Sequence, residues 1–261
     1  MNREDVGAAA AILWQHWQQS TRFDELPAQC RPGSRAEGYA IQAELAQQSG
    51  MSIVGWKIAA TSTAGQRHIR VDGPLAGCLL SARALEPGAR ISLAGNNMKV
   101  AEAEFAFRMG KSLPKRAAAY SVAEVLAAVA TLHPAIEVPD SRYNDFTRVG
   151  EAQLIADVAC ACWFMIGPAT SADWRALDLA KHSVAAYRNG AMVAQGSGAN
   201  VLGDPRSALA WIANELCTYG DGLRAGDVVI TGTCVTPLPV AAGDSVKMDF
   251  GALGVIEAGF V

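Results

Sequence analysis

At 261 residues with 51% hydrophobic content, the chain is long enough for one large domain with a buried core, or for a small cap plus a main domain. Its net charge of -3 comes from interspersed acids and bases, with no basic stripe for nucleic acid and no charged tail. The six cysteines form no C-x-x-C pair and read as reduced core thiols. The start lacks a signal-peptide pattern, and the most apolar run, Leu154 to Met165, contains Asp157 and is too short to span a bilayer. A cytoplasmic protein with no nucleic-acid or membrane partner is expected, acting on small molecules and associating with copies of itself.

Val6, Ala10, Leu13 and Trp17 recur at helical spacing, so Arg3 to Gln19 is predicted as an amphipathic helix. Pro27 and Arg31-Pro-Gly33 stop the chain, and Ser34 with Glu37 makes a capping-box pattern for a second helix through Gln48. These define a helical part over residues 1–50, ahead of a catalytic domain over 51–261. The run Ser52 to Ile58 is strand-like, with Lys57 interrupting its apolar residues. Such a lysine either snorkels to solvent or faces an anion as a cation or proton donor. Thr61 and Ser62 follow as hydroxyl-bearing residues at the strand end, in turn or ligand roles. His68 and Asp72 are expected in the next loop, where Asp72 is a candidate acid supporting the site.

A strand is predicted at Ala89 to Leu93, and the next, Lys99 to Phe107, carries two acids two residues apart. Side chains alternate along a strand, so Glu102 and Glu104 share one face while Ala101, Ala103, Phe105 and Phe107 share the other. Glutamates in register on a strand with an apolar reverse face either face solvent at a sheet edge or require a partner charge. Glu137, in the proline-bounded run Pro134 to Asp140, is a third acid of this kind. Three carboxylates without a nearby His or Cys pair suit a hard cation, Mg²⁺ or Mn²⁺, over Zn²⁺. The basic segment Met109 to Ala119 reads as a solvated loop or as a lid, and Ser121 with Glu124 caps a helix to about Leu132.

Asp140 and Arg142 follow Glu137 closely, Arg142 as a candidate for a substrate carboxylate or for a structural ion pair. Asn189-Gly190 between alternating segments signals a β-hairpin, and Asp204-Pro205 opens a helix that buries Leu209, Ile212, Ala213 and Leu216. Strands are expected at Asp227 to Thr231, Ser245 to Phe250 and Gly254 to Phe260, with Thr231 at the end of a buried strand where it can meet a ligand. Many short strands and few helices predict a β-rich α+β fold, and no glycine-rich dinucleotide fingerprint follows a strand.

Several stretches, in order, carry a family resemblance: Gly55-Trp-Lys-Ile58 with Thr61-Ser62, Val71-Asp-Gly-Pro74, Glu102-Ala-Glu104, Ile136-Glu137 with Asp140-Ser-Arg142, Gly198 to Asn214, and Gly226 to Gly232 through Gly254. The ordered set resembles the fumarylacetoacetate hydrolase superfamily, in its branch of 2-hydroxypentadienoate hydratases and 4-oxalocrotonate decarboxylases. The resemblance implies a mixed β-roll core, dimers that build larger oligomers, a metal on Glu102, Glu104 and Glu137, and an active-site lysine at Lys57. It also implies a 2-oxo acid substrate, met by Thr61, Ser62, Asp140, Arg142 and Thr231, with acid-base help from Lys57 or Asp72. Hydration of a dienoate comes first, decarboxylation of a diacid second. C–C hydrolysis, for which His68 would be the base, ranks third. The chain departs from the family pattern at Ala156 to Cys162, where Val158, Cys160 and Cys162 replace polar or small residues and imply a more apolar pocket.

Overall fold

The computed structural model describes all 261 residues. Helix α1 (Arg3–Gln19) starts where Asn2 accepts a hydrogen bond from the Asp5 amide, and it buries Ala9, Ala10, Leu13 and Trp17. Helix α2 (Arg35–Ser49) is capped by Ser34 and ends at Gly50, whose φ of 67° is the left-handed value that glycine adopts freely. Both helices match the sequence reading, because their caps and apolar stripes are local signals.

Strand β1 (Ile53–Ala59) leads into α3 (Thr63–Ile69) and β2 (Leu75–Leu80). The stretch holding His68, expected as loop, is therefore partly helical: the Ser62 hydroxyl accepts from the Gly65 amide and starts a short turn of helix that buries none of its residues. Next come β3 (Val100–Met109), α4 (Val122–Ala128) with the expected Ser121–Glu124 capping box, and β4 (Val129–Val138). Helix α4 is shorter than expected because Val129 already opens β4, which runs straight through Pro134. That proline sits opposite Phe105, and its carbonyl accepts from the Gly167 amide. Helix α5 (Glu151–Ala156) and β5 (Trp163–Ile166) follow, then β6 (Ser183–Arg188) and β7 (Ala191–Ser197). Asn189 and Gly190 join the last two with φ of 52° and 82°, the positive pair a two-residue hairpin needs. Helix α6 (Pro205–Tyr219) begins at Asp204, and β8 (Val228–Thr233), β9 (Ser245–Asp249) and β10 (Val255–Phe260) complete the chain. Between Ala89 and Leu93 only Arg90–Ile91 pairs as a strand.

The larger sheet runs β2-β1-β8-β3-β4-β5 and ends on Ala84–Leu85; β1 and β8 are parallel, while β8, β3, β4 and β5 alternate in direction. The smaller sheet runs β7-β6-β9-β10 and ends on Arg90–Ile91. This is the expected β-rich α+β architecture. One face of the larger sheet, with Ala101, Ala103, Phe105 and Phe107, shares a core with α6 and the smaller sheet. The other face, with Ala106, Ala135, Val228 and Ile230, packs on α1 and α2. The N-terminal helices thus cover the face that also holds the acids.

Candidate metal centre

Strand register brings the acids together. Glu102 on β3 stands directly opposite Glu137 on β4, and Glu104 is two residues along on the same side. Carboxylate oxygens of Glu102, Glu104 and Glu137 all lie within 4.8 Å of one another. Glu104 and Glu137 are fully buried (0% exposed) and Glu102 is half-buried at the rim. Lys57 reaches the same face through the register: it aligns with Ile230 on β8, which aligns with Ala106, two residues along β3 from Glu104 and so on the same side.

Lys57 does not snorkel. It is 3% exposed, its Nζ donates to the Ala159 carbonyl at 3.0 Å, and it sits 3.2 Å from Glu137 Oε1 as a charge contact outside hydrogen-bond angles. Burial alone would lower the ammonium's pKa, but the neighbouring Glu137, Glu102 and Glu104 outweigh it and hold it above its ordinary value. Burial moves all three acids up, and repulsion from neighbouring carboxylates adds to it at Glu102 and Glu104. Glu102 is pushed up to about 7 despite relief from Lys57, and Glu104 and Glu137 are raised as well.

Three carboxylates, two of them fully buried, with one lysine among them are short of positive charge. Glu104 Oε2 accepts from the Gly232 amide at 2.6 Å, but Glu104 Oε1 and both Glu137 oxygens have no hydrogen-bond partner. Buried carboxylate oxygens left bare are costly, and an oxygen-only set of three acids is the donor set a hard divalent cation takes. The residues fit such a metal.

A β-bulge aims the Gly232 amide. Between Ile230 and Thr233 the register of β8 on β3 slips, and Gly232 sits at φ 105°. A Cβ there would collide with Thr61 Oγ1. Thr61 is therefore buried against the bulge, while Ser62 is spent on capping α3 and Thr231 points away, its hydroxyl donating to the Phe105 carbonyl at 3.1 Å.

The remaining candidates divide. Arg142 is 1% exposed and paired: it donates from Nε to Asp157 Oδ1, to the Asp157 carbonyl at 2.6 Å and to the Ala161 carbonyl at 3.2 Å. Three of its five N–H groups are engaged in this way, and at 1% exposure the guanidinium is held inside the fold, in a structural ion pair. Asp140 is likewise engaged, pairing with Arg22 and accepting from the amides of Asn97 and Met98. Asp72 is exposed and makes no hydrogen bond or ion pair, so nothing links it to the acid cluster. His68, also exposed, rests its ring edge-on against Phe146 without an acid partner. The basic segment is no lid: it leaves the far end of β3, seven residues and roughly 23 Å from Glu102 at strand rise. All six cysteines are buried and free; burial pushes Cys160 and Cys162 up to about 12.

The segment Ala156 to Cys162 holds what sequence reasoning missed. Val158, Ala159 and Cys160 have φ of 45°, 50° and 62°, a left-handed turn built from three non-glycine residues, each costing about 1–2 kcal/mol. The turn delivers the Ala159 carbonyl to Lys57. Its only advance sign is Gly77, opposite Lys57 on β2, where a Cβ would collide with the Val158 carbonyl oxygen.

The chain is similar to known proteins. The chain is 34% identical over 218 residues to a 2-hydroxyhexa-2,4-dienoate hydratase of Comamonas testosteroni, covering 83% of this chain and 81% of that one. It is 33% identical over 234 residues to a 2-keto-4-pentenoate hydratase of Burkholderia vietnamiensis, covering 88% of each. The solved 4-oxalocrotonate decarboxylase from Pseudomonas putida G7, complexed with magnesium and adipate, superposes with a TM-score of 0.91 at 28% identity, over 100% of this chain and 99% of that one. Residues 61–261 match the family described as fumarylacetoacetate (FAA) hydrolase C-terminal, and with most of its length matched the chain belongs to the fumarylacetoacetate hydrolase family.

Proposed function

We propose that this chain is a divalent-metal-dependent hydro-lyase. It adds water to a 2-hydroxy-2,4-dienoate of the 2-keto-4-pentenoate type and gives a 4-hydroxy-2-oxo acid. The observation that carries the reading is the gathering of Glu102, Glu104, Glu137 and Lys57 on one sheet face, with three acid oxygens bare. The named relatives, two of them dienoate hydratases, supply the substrate class.

The three glutamates would hold Mg²⁺ or Mn²⁺, which as a Lewis acid stabilises negative charge on a 2-oxo acid. The protein's own groups do the rest. The Gly232 amide fixes one Glu104 oxygen and leaves the other directed at the cation site. Of the three N–H donors on Lys57, one goes to the Ala159 carbonyl and one faces Glu137, leaving the third for the substrate's anionic oxygen or for proton transfer. Val158 and Cys160, buried beside the lysine, keep that proton away from bulk water. Thr61, buried against the bulge, offers a hydroxyl that would meet the bound acid. The active form is taken to be a homo-oligomer built from dimers.

Decarboxylation of 4-oxalocrotonate is the second reading, favoured by the full-length superposition on the decarboxylase. A diacid needs a cation for its second carboxylate. Arg142 is paired with Asp157, and Arg70, Lys111 and Lys115 are exposed, which supports the monoacid. A side-by-side assay separates the two: purified protein with Mg²⁺ or Mn²⁺ is offered 2-hydroxypenta-2,4-dienoate and 2-oxohex-3-enedioate. Loss of the monoacid's ultraviolet absorbance without CO₂, abolished by EDTA, establishes the hydratase; metal-dependent CO₂ release from the diacid replaces it with the decarboxylase.

A further inference from the structure

The left-handed turn at Val158 to Cys160 is held at cost in a position where glycine would sit comfortably, and it is held from several sides. Arg142 brackets it, bonding the Asp157 carboxylate and carbonyl before the turn and the Ala161 carbonyl after it. The Asp157 carboxylate also accepts from the Ser141 hydroxyl at 2.8 Å and the Arg142 amide at 3.0 Å. The Asp140 amide donates to the Cys160 carbonyl at 2.9 Å, and Gly77, lacking a Cβ, lets the Val158 carbonyl lie against β2. The one product of this turn that faces the acid cluster is the Ala159 carbonyl, bonded to Lys57 Nζ.

We infer that the buried Arg142–Asp157 pair, 1% and 0% exposed, is a positioning device for Lys57: it locks the left-handed turn so that the Ala159 carbonyl orients the ammonium over the carboxylates. Arg142 and Asp157 are positioning residues acting through a main-chain oxygen, and neither is required to touch substrate. The inference rests on the reading of Lys57 as the proton-handling group. A turn that served only to pack would be satisfied by any side chains that fill the space. A positioning turn would not, because without the guanidinium only the main-chain bonds from Cys160 to Asp157, from Ala161 to Val158 and from Asp140 to Cys160 hold it, and three non-glycine residues are then free to relax toward less strained backbone angles.

The test is the double variant Arg142→Met/Asp157→Leu in the full chain with Mg²⁺, which removes both buried charges together and fills their space with apolar groups, an exchange that often leaves stability unchanged. The expected result is a folded protein whose kcat on the dienoate falls at least about 30-fold, a large part of the roughly 100-fold or more that a positioned proton carrier contributes, while KM and the Mg²⁺ dissociation constant change less than about threefold. Asp157→Asn, which keeps an acceptor for Arg142 and Ser141, should recover much of the kcat that Asp157→Leu alone loses. A folded double variant with kcat within about threefold of the unmodified protein overturns the inference. So does a fall in kcat matched by an equal loss of metal affinity.

An activity-free readout runs in parallel: reductive methylation of Lys57 by formaldehyde and cyanoborohydride, mapped by peptide mass. Faster labelling of Lys57 in the double variant, at unchanged labelling of exposed Lys111, supports the inference, and unchanged labelling overturns it. If the unmodified chain turns over neither acid, the functional reading has failed and the labelling alone decides. If the double variant does not fold, Arg142→Lys, which keeps the charge opposite Asp157 but loses the guanidinium fork that joins its carboxylate to both carbonyls, takes the same readouts, and equal kcat and equal Lys57 labelling there overturn the inference.

Discussion

Replacing Lys57 by methionine strips the metal-free site of the cation that relieves all three acids. At the observed 3.2 Å to Glu137, its attraction is about 5 kcal/mol for an effective dielectric constant of about 20. Removing one partner of a buried pair costs about 3–5 kcal/mol, and the acids can limit the loss by taking up protons, at about 1.4 kcal/mol per pH unit. For K57M in EDTA at pH 8 we expect a loss of about 3 kcal/mol, roughly 6–12 °C in melting temperature for a chain of this size. Toward pH 5 the gap should narrow, because carboxyls whose pKa values are raised take up protons as the pH falls and then need the lysine less. With saturating Mg²⁺ it should also narrow, since a divalent cation replaces the missing charge. Differential scanning fluorimetry across pH, with EDTA or Mg²⁺, reads all three. Equal melting temperatures at pH 8 in EDTA would refute the charge balance described above, as would a gap that stays the same in Mg²⁺.

Other outcomes follow from the same geometry. The raised carboxyl pKa values stabilise the metal-free fold below the unfolded value of about 4.5, and that contribution is lost as pH rises through about 7. Mg²⁺, which needs the deprotonated site, should therefore bind more tightly at pH 8 than at pH 6, with proton release seen as a buffer-dependent heat. Gly232→Ala places a Cβ against Thr61 at φ 105° and should cost more than about 2 kcal/mol by urea unfolding, together with weaker metal binding as the amide to Glu104 shifts. The six buried thiols should react with Ellman's reagent only slowly in the folded protein and completely on unfolding; fast stoichiometric reaction of Cys160 or Cys162 would contradict their burial.

Much of the site was legible in the sequence because strand periodicity is local. Alternation alone put Glu102 and Glu104 on one face and the phenylalanines on the other, and the structure keeps both sets where period two places them. Cap residues at Ser34, Ser121 and Asp204 and the Asn189-Gly190 turn marked their elements for the same reason. What escaped depends on contacts distant in sequence. Pro134 reads as a boundary, yet its strand continues because a neighbouring β-strand uses its carbonyl. Arg142 reads as a cation for a substrate carboxylate or as half of a structural ion pair, and the partner that decides it, Asp157, lies fifteen residues on. The left-handed turn carries no glycine, so its backbone is invisible to propensity and is imposed by that ion pair and by Gly77.

The most direct test of the central claim is calorimetric titration of Mg²⁺ into the purified chain at pH 8, beside Glu104→Gln. The account expects saturable binding of one ion per chain, weakened at least about 100-fold in the variant, because losing a ligand exceeds the 10- to 100-fold cost of losing a supporting contact. Absence of binding to the unmodified chain, or equal binding by Glu104→Gln, would contradict a metal centre on Glu102, Glu104 and Glu137.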